Sequence, residues 1–132
     1  TRLSRGLGDV YKRQASGRHL LVVEDNPANR FMMQSYLESR GYRVSMATDG
    51  PSGIAAVGEV EPDVVLMDIQ MPGMDGLEAI RRIRTGSDVP IVALTALAMP
   101  RDRERCLEAG ASRYLSKPIK WNDLLSVIEE LQ

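Results

Sequence analysis

The stretch Val64-Val65-Leu66-Met67-Asp68-Ile69-Gln70-Met71-Pro72-Gly73-Met74-Asp75-Gly76 decides how this chain folds. Its first four residues leave no polar face, so the run reads as a strand buried on both sides, as strands of a parallel sheet are. The run ends on a carboxylate, Asp68. Pro72, Gly73, Asp75 and Gly76 then supply the fixed and the permissive backbone that a tight turn beside Asp68 requires.

Three other apolar runs end in the same manner: Leu20-Leu21-Val22-Val23 on Glu24-Asp25, Ile91-Val92-Ala93-Leu94 on Thr95, and Tyr114-Leu115-Ser116 on Lys117. The full pattern predicts strands over 20–23, 43–47, 64–67, 91–94 and 113–115, alternating with helices over 27–40, 51–59, 77–85, 101–108 and 121–131. Pro27 after Asn26 marks a helix start, and Gly41, Gly86 and Gly110 follow helical patterns. Such a βα series is an α/β domain with right-handed crossovers and helices on both faces. All the strands then end at one edge, where open α/β sheets hold their ligands.

The residues gathered at that edge suit phosphoryl transfer. Asp68 is the candidate nucleophile, since a strand-end carboxylate can attack a phosphoryl group and form an aspartyl phosphate. Glu24, Asp25 and Asp68 would repel one another unless a cation sat among them, and hard oxygen ligands beside phosphate chemistry point to Mg2+. Lys117 offers a compact positive charge and Thr95 a hydroxyl to phosphoryl oxygens, while Ala96 is small enough to leave the approach open. Each residue alone is better read as a turn, a cap or a solvated charge. Together, the four strand ends favour the functional reading.

The segments Val23-Glu24-Asp25-Asn26, Met67 to Gly76, Leu94-Thr95-Ala96 and Leu115-Ser116-Lys117-Pro118, in this order and spacing, resemble the receiver domain of two-component response regulators over residues 19–132. The resemblance implies a flavodoxin-like, doubly wound, five-stranded parallel sheet of order 2-1-3-4-5 with five helices, its switch point between strands 1 and 3. It implies Mg2+ held by Glu24, Asp25, Asp68 and the backbone carbonyl of Gln70, with the role of Glu24 running through a water. It further implies a cis Lys117–Pro118 bond, phosphorylation of Asp68 from a histidine kinase or histidine phosphotransfer protein, and a switch involving Thr95 and Tyr114. Such a domain catalyses its own phosphorylation and dephosphorylation but serves mainly as a signalling switch. Leu97 stands where many similar receivers carry Asn, and with Gln70 it flanks the path of the hydrolytic water. The resemblance also implies the face formed by helix 4, strand 5 and helix 5 as the place where a homodimer would form.

Three rivals share parts of this pattern. A phosphatase of the haloacid-dehalogenase type needs an acid two residues after its nucleophile, and that position is Gln70. A flavodoxin-like cofactor binder would cradle a phosphate in its first βα loop, where this chain places Glu24 and Asp25. A degenerate receiver acting only as a protein-interaction module would have lost Asp68 or Lys117.

Composition narrows the field further. The 132 residues suit one domain. The formal net charge of −1 hides an asymmetry: residues 1–18 hold five bases and one acid, leaving 12 bases against 17 acids, or −5. An acidic domain without a basic stripe is a poor candidate for direct nucleic-acid binding. No apolar run approaches the ~20 residues of a membrane span, so a cytoplasmic domain without membrane insertion is expected. A single cysteine, Cys106, excludes an internal disulfide and reads as helix packing. Asp9-Val10-Tyr11-Lys12-Arg13-Gln14 is what read-through of a sequencing-library adaptor would encode, so residues 1–18 are set apart as a non-native or linker segment. On the first helix, Asn29, Met32, Met33, Tyr36 and Leu37 are expected to face the sheet, leaving Phe31 exposed. The resemblance to receivers, which dock helix one on the helix bundle carrying the donor histidine, implies Phe31 as an anchor for that donor. His19 reads as inert and Trp121 as packing for the last helix.

Overall fold

In the computed structural model, residues 18–96 and 99–131 are described. Strands β1 (His19–Val23), β2 (Arg43–Ala47), β3 (Val64–Asp68), β4 (Ile91–Thr95) and β5 (Arg113–Ser116) alternate with helices α1 (Pro27–Ser39), α2 (Gly50–Val60), α3 (Gly76–Arg84), α4 (Pro100–Ala109) and α5 (Trp121–Glu130). The strands form one parallel sheet of order β2-β1-β3-β4-β5, the order expected. Expected and observed boundaries agree within one residue at every end. Apart from Arg18, residues 1–18 lie outside the described part, as does Leu97.

The apolar runs explain the sheet. Every residue of β3 and β4 is buried, because helices cover both faces. On one face Leu21, Val23, Val65 and Met67 pack with Ile80 and Ile83 of α3 and Cys106 of α4; on the other, Leu20, Val22, Leu66 and Val92 pack with Leu37 of α1 and with Leu124 and Ile128 of α5. Alternate residues of each strand thus feed separate cores.

Local chemistry sets the helix ends. The Asn26 side chain accepts from Asn29 N–H at 3.1 Å and starts α1; Asp49 and Ser52 form a reciprocal cap on α2; Asp75 accepts from Glu78 N–H at 2.9 Å and starts α3. Gly110 ends α4 at φ 120°, open to glycine alone at little cost. Helix α2 instead ends on Glu61 in the left-handed region at φ 47°, a stop that no glycine announces.

One expectation needs correction. In the stripe assigned to the first helix, Met33 and Leu37 are buried and Tyr36 is half-buried, but Asn29 is exposed and Met32 is 55% exposed. This end of α1 faces the loops beyond the strand ends: Asn29 Nδ2 donates to Glu24 Oε1, and Met32 borders a cleft with Lys117, Ile119 and Trp121 rather than entering the core. Phe31 is exposed at 71%, as expected. Trp121 stacks on Tyr36 at 4.2 Å between centroids, joining α5 to α1.

Candidate functional site

The register brings the predicted residues together. Val23 pairs with Met67 and Asp68 with Leu94, so the acids after β1, the end of β3 and Thr95 meet at one corner of the edge, and Thr95 pairs with Ser116 just before Lys117. Glu24, Asp68 and Thr95 are all buried, at 3%, 2% and 1% exposure, while Asp25 is half-buried. One carboxylate oxygen from each of Glu24, Asp25 and Asp68 lies within 4.8 Å of the others.

Lys117 closes the cluster. Its Nζ donates to Asp68 Oδ1 at 2.9 Å and stands 3.7 Å from Glu24 Oε1. Its backbone N–H is anchored on Thr95 O at 2.7 Å, and the Lys117–Pro118 bond is cis. Three carboxylates against one ammonium leave formal negative charge in a pocket of oxygen donors. A hard divalent cation such as Mg2+ fits the oxygen donors of Glu24, Asp25 and Asp68.

Backbone constraints hold Asp68 in place. Gly76 lies against the strand end: a Cβ there would fall 2.3 Å from Asp68 O and 2.7 Å from Ile69 Cα. Only a glycine lets α3 begin so close to the candidate nucleophile. Gln70 N–H donates to Asp68 Oδ1 at 3.2 Å. The Gln70 side chain turns to the neighbouring strand, donating from Nε2 to Thr95 Oγ1 at 2.7 Å and accepting from Ala96 N–H at Oε1 at 2.9 Å.

Sequence reasoning missed two supports of the acid pair. The Arg30 guanidinium donates to the carbonyls of Glu24 at 3.0 Å and Asp25 at 2.8 Å, and Asn29 Nδ2 donates to Glu24 Oε1 at 3.2 Å. Their position in the first turn after the acid pair was the available signal. Tyr114 is half-buried against the core on the α4 side, next in register to Ala93 rather than in the acid cluster. Cys106 lies in the same core, and burial raises its thiol above the ordinary range, with Asp102 adding to the effect; it is a packing group and no nucleophile. His19 is tied to Ser45 Oγ at 2.6 Å and Asp63 Oδ2 at 2.7 Å, and its first tie is on the edge strand β2. Among the described residues, no helix is long and apolar enough to cross a membrane.

Comparison with known proteins agrees with this geometry. The family model described as the response regulator receiver domain matches residues 20–129. The sensor protein GacS of Pseudomonas syringae pv. syringae is 43% identical over 115 residues, 83% of this chain and 13% of that protein. The response regulator PleD of Caulobacter vibrioides is 42% identical over 103 residues, 76% of this chain and 23% of that protein. The chain therefore spans less than a quarter of either relative. The crystal structure of the receiver domain of sensor histidine kinase PA1611 from Pseudomonas aeruginosa, with magnesium in its active-site cleft, superimposes with a TM-score of 0.80 at 41% identity, covering 87% of this chain and 97% of that one.

Proposed function

The chain belongs to the response regulator receiver domain family of two-component signalling, and from that premise we propose that residues 19–132 form a receiver unit that takes a phosphoryl group onto Asp68. The donor is a phosphohistidine on a histidine kinase or a histidine phosphotransfer protein. The observation that carries this reading is the 2.9 Å contact of Lys117 Nζ with Asp68 Oδ1 inside a cluster of three carboxylates. Glu24, Asp25, Asp68 and the Gln70 carbonyl would hold Mg2+, which supplies charge neutralisation for attack by one anion on another.

In the transfer, a carboxylate oxygen of Asp68 bonds to phosphorus as the phosphorus–nitrogen bond breaks, and the electron pair returns to the donor imidazole. Lys117 keeps its positive charge beside Asp68 and follows the charge onto a phosphoryl oxygen. Water later attacks phosphorus, the bond to Asp68 breaks with its electron pair returning to the carboxylate, and inorganic phosphate leaves as the water's proton passes to solvent. Between these steps the Thr95 hydroxyl is drawn toward the phosphoryl group and Tyr114 moves with it, a population shift between two states. Homodimerisation through α4, β5 and α5 would be one output of that shift. The lone, buried Cys106 suits a reducing, cytoplasmic setting. A degenerate receiver is disfavoured, because Asp68 and Lys117 are both present and in contact.

The test is incubation with acetyl phosphate and Mg2+, followed by intact-protein mass measurement. A phosphoryl adduct should form, fail to form in chelator, and be absent from Asp68→Ala. An adduct persisting in that variant would sink the reading.

A further inference from the structure

The parallel ladder between β3 and β4 runs as far as Ile69 N–H on Leu94 O at 2.9 Å. The carbonyl that the ladder would next offer to Ala96 N–H is that of Ile69, which accepts from Gly76 N–H at 3.0 Å. The Gln70 side chain takes over at this point. Its Oε1 accepts from Ala96 N–H at 2.9 Å and its Nε2 donates to Thr95 Oγ1 at 2.7 Å. The orientation of the amide is fixed by chemistry, since a backbone N–H can only donate and must face the oxygen. Gln70 is an exposed residue, yet both ends of its amide are engaged two residues beyond Asp68.

Resting on the acceptor reading above, we propose that Gln70 is a latch that occupies the place of the phosphoryl group in the unphosphorylated protein. Thr95 Oγ1 and Ala96 N–H are the hydroxyl and backbone donor at the strand end beside Asp68, and a phosphoryl group there has oxygens that require donors. The Gln70 carbonyl oxygen uses the Ala96 N–H as a phosphoryl oxygen would. Its amide nitrogen holds Thr95 Oγ1 in the resting position. Phosphorylation has to displace both hydrogen bonds before Thr95 can move, so Gln70 raises the threshold of the switch. The residue thereby acts as a positioning residue on Thr95 and Ala96, and it does so through its side chain.

Gln70→Met keeps the length of the side chain and removes both hydrogen bonds, and Gln70→Ala removes the side chain altogether. In metal-free protein, hydrogen exchange at the Ala96 amide should be faster in both variants than in wild type, because its acceptor is gone. With Mg2+ present, the beryllofluoride concentration that half-saturates the protein, read from the Thr95 amide resonance, should fall about fivefold or more, the equivalent of about one net hydrogen bond. A merely structural Gln70 would give the opposite result, since a loosened loop would weaken uptake of the mimic. Unchanged or weaker uptake in both variants overturns the latch, as does unchanged Ala96 exchange. Failure of wild type to take up beryllofluoride at all would overturn the acceptor reading, and the latch with it.

Discussion

Lys117 Nζ sits 2.9 Å from Asp68 Oδ1 and 3.7 Å from Glu24 Oε1, so one ammonium bridges the two buried carboxylates of the cluster. It is itself 26% exposed at the side chain, at the mouth of the pocket. A cation placed there offsets part of the cluster's negative charge and can still meet an incoming phosphate.

The third acid, Asp25, is half-buried on the β1–α1 loop and should act mainly through metal. Asp25→Asn should weaken Mg2+ binding by at least the ~10-fold typical of losing an outer-sphere partner. In chelator the same substitution should leave the melting temperature unchanged or raise stability by up to about 1 kcal/mol, because it removes one like charge. Calorimetry with and without Mg2+ measures both; a variant destabilised in chelator would count against the cluster.

Thr95→Ala should still accept phosphoryl from acetyl phosphate, since Asp68 and Lys117 are untouched. It should transmit poorly, with the beryllofluoride-induced shifts at Tyr114 reduced or lost by NMR. Losing the contact with Gln70 Nε2 at 2.7 Å should cost about 1 kcal/mol of stability. Equal shifts at Tyr114 in wild type and variant would refute the coupling.

Phe31 is 71% exposed on α1, and in the proposed transfer it would serve as the anchor for the donor protein. Phe31→Ser should change stability by no more than about 0.5 kcal/mol. It should slow transfer from the cognate phosphohistidine protein about fivefold or more, the effect of an anchor worth at least about 1 kcal/mol. Labelling by acetyl phosphate is the control and should not change. Equal loss with both donors would place the defect in the fold and end the docking idea.

Gly76→Ala would force a Cβ to within 2.3 Å of Asp68 O, a backbone atom that cannot swing away. Overpacking of this kind should cost about 1–3 kcal/mol in urea unfolding and slow labelling of Asp68 by shifting the strand end. Full stability in this variant would show that α3 can retreat without disturbing the site.

Much of this was legible in the sequence because aliphatic runs such as Val64 to Met67 fix both the strand and the residue that ends it. Once the strands are parallel, Glu24, Asp25, Asp68, Thr95 and Lys117 must share an edge. What escaped depended on how far side chains reach. Periodicity assigns Met32 to the core stripe, but the side chain borders the cleft with Lys117 and Ile119, and period alone carries no information about where a sheet stops. Arg30 and Asn29 reach back to Glu24 and Asp25 through loop geometry that spacing does not encode. The sequence speaks for Gln70 only through its backbone and its nearness to the water path, whereas its side chain bridges from the end of β3 to Thr95 and Ala96. Glu61 in the left-handed region ends α2 without any sequence mark, its N–H closing on Val57 O at 3.2 Å.

The most direct test of the central claim is chemical trapping of the acyl phosphate. The protein is phosphorylated from a phosphohistidine donor with Mg2+ and reduced with borohydride, which converts an aspartyl phosphate to homoserine, and the product is mapped by peptide mass spectrometry. Homoserine at position 68 and at no other aspartate is the predicted result; homoserine at Asp25 or elsewhere with position 68 intact would contradict the account.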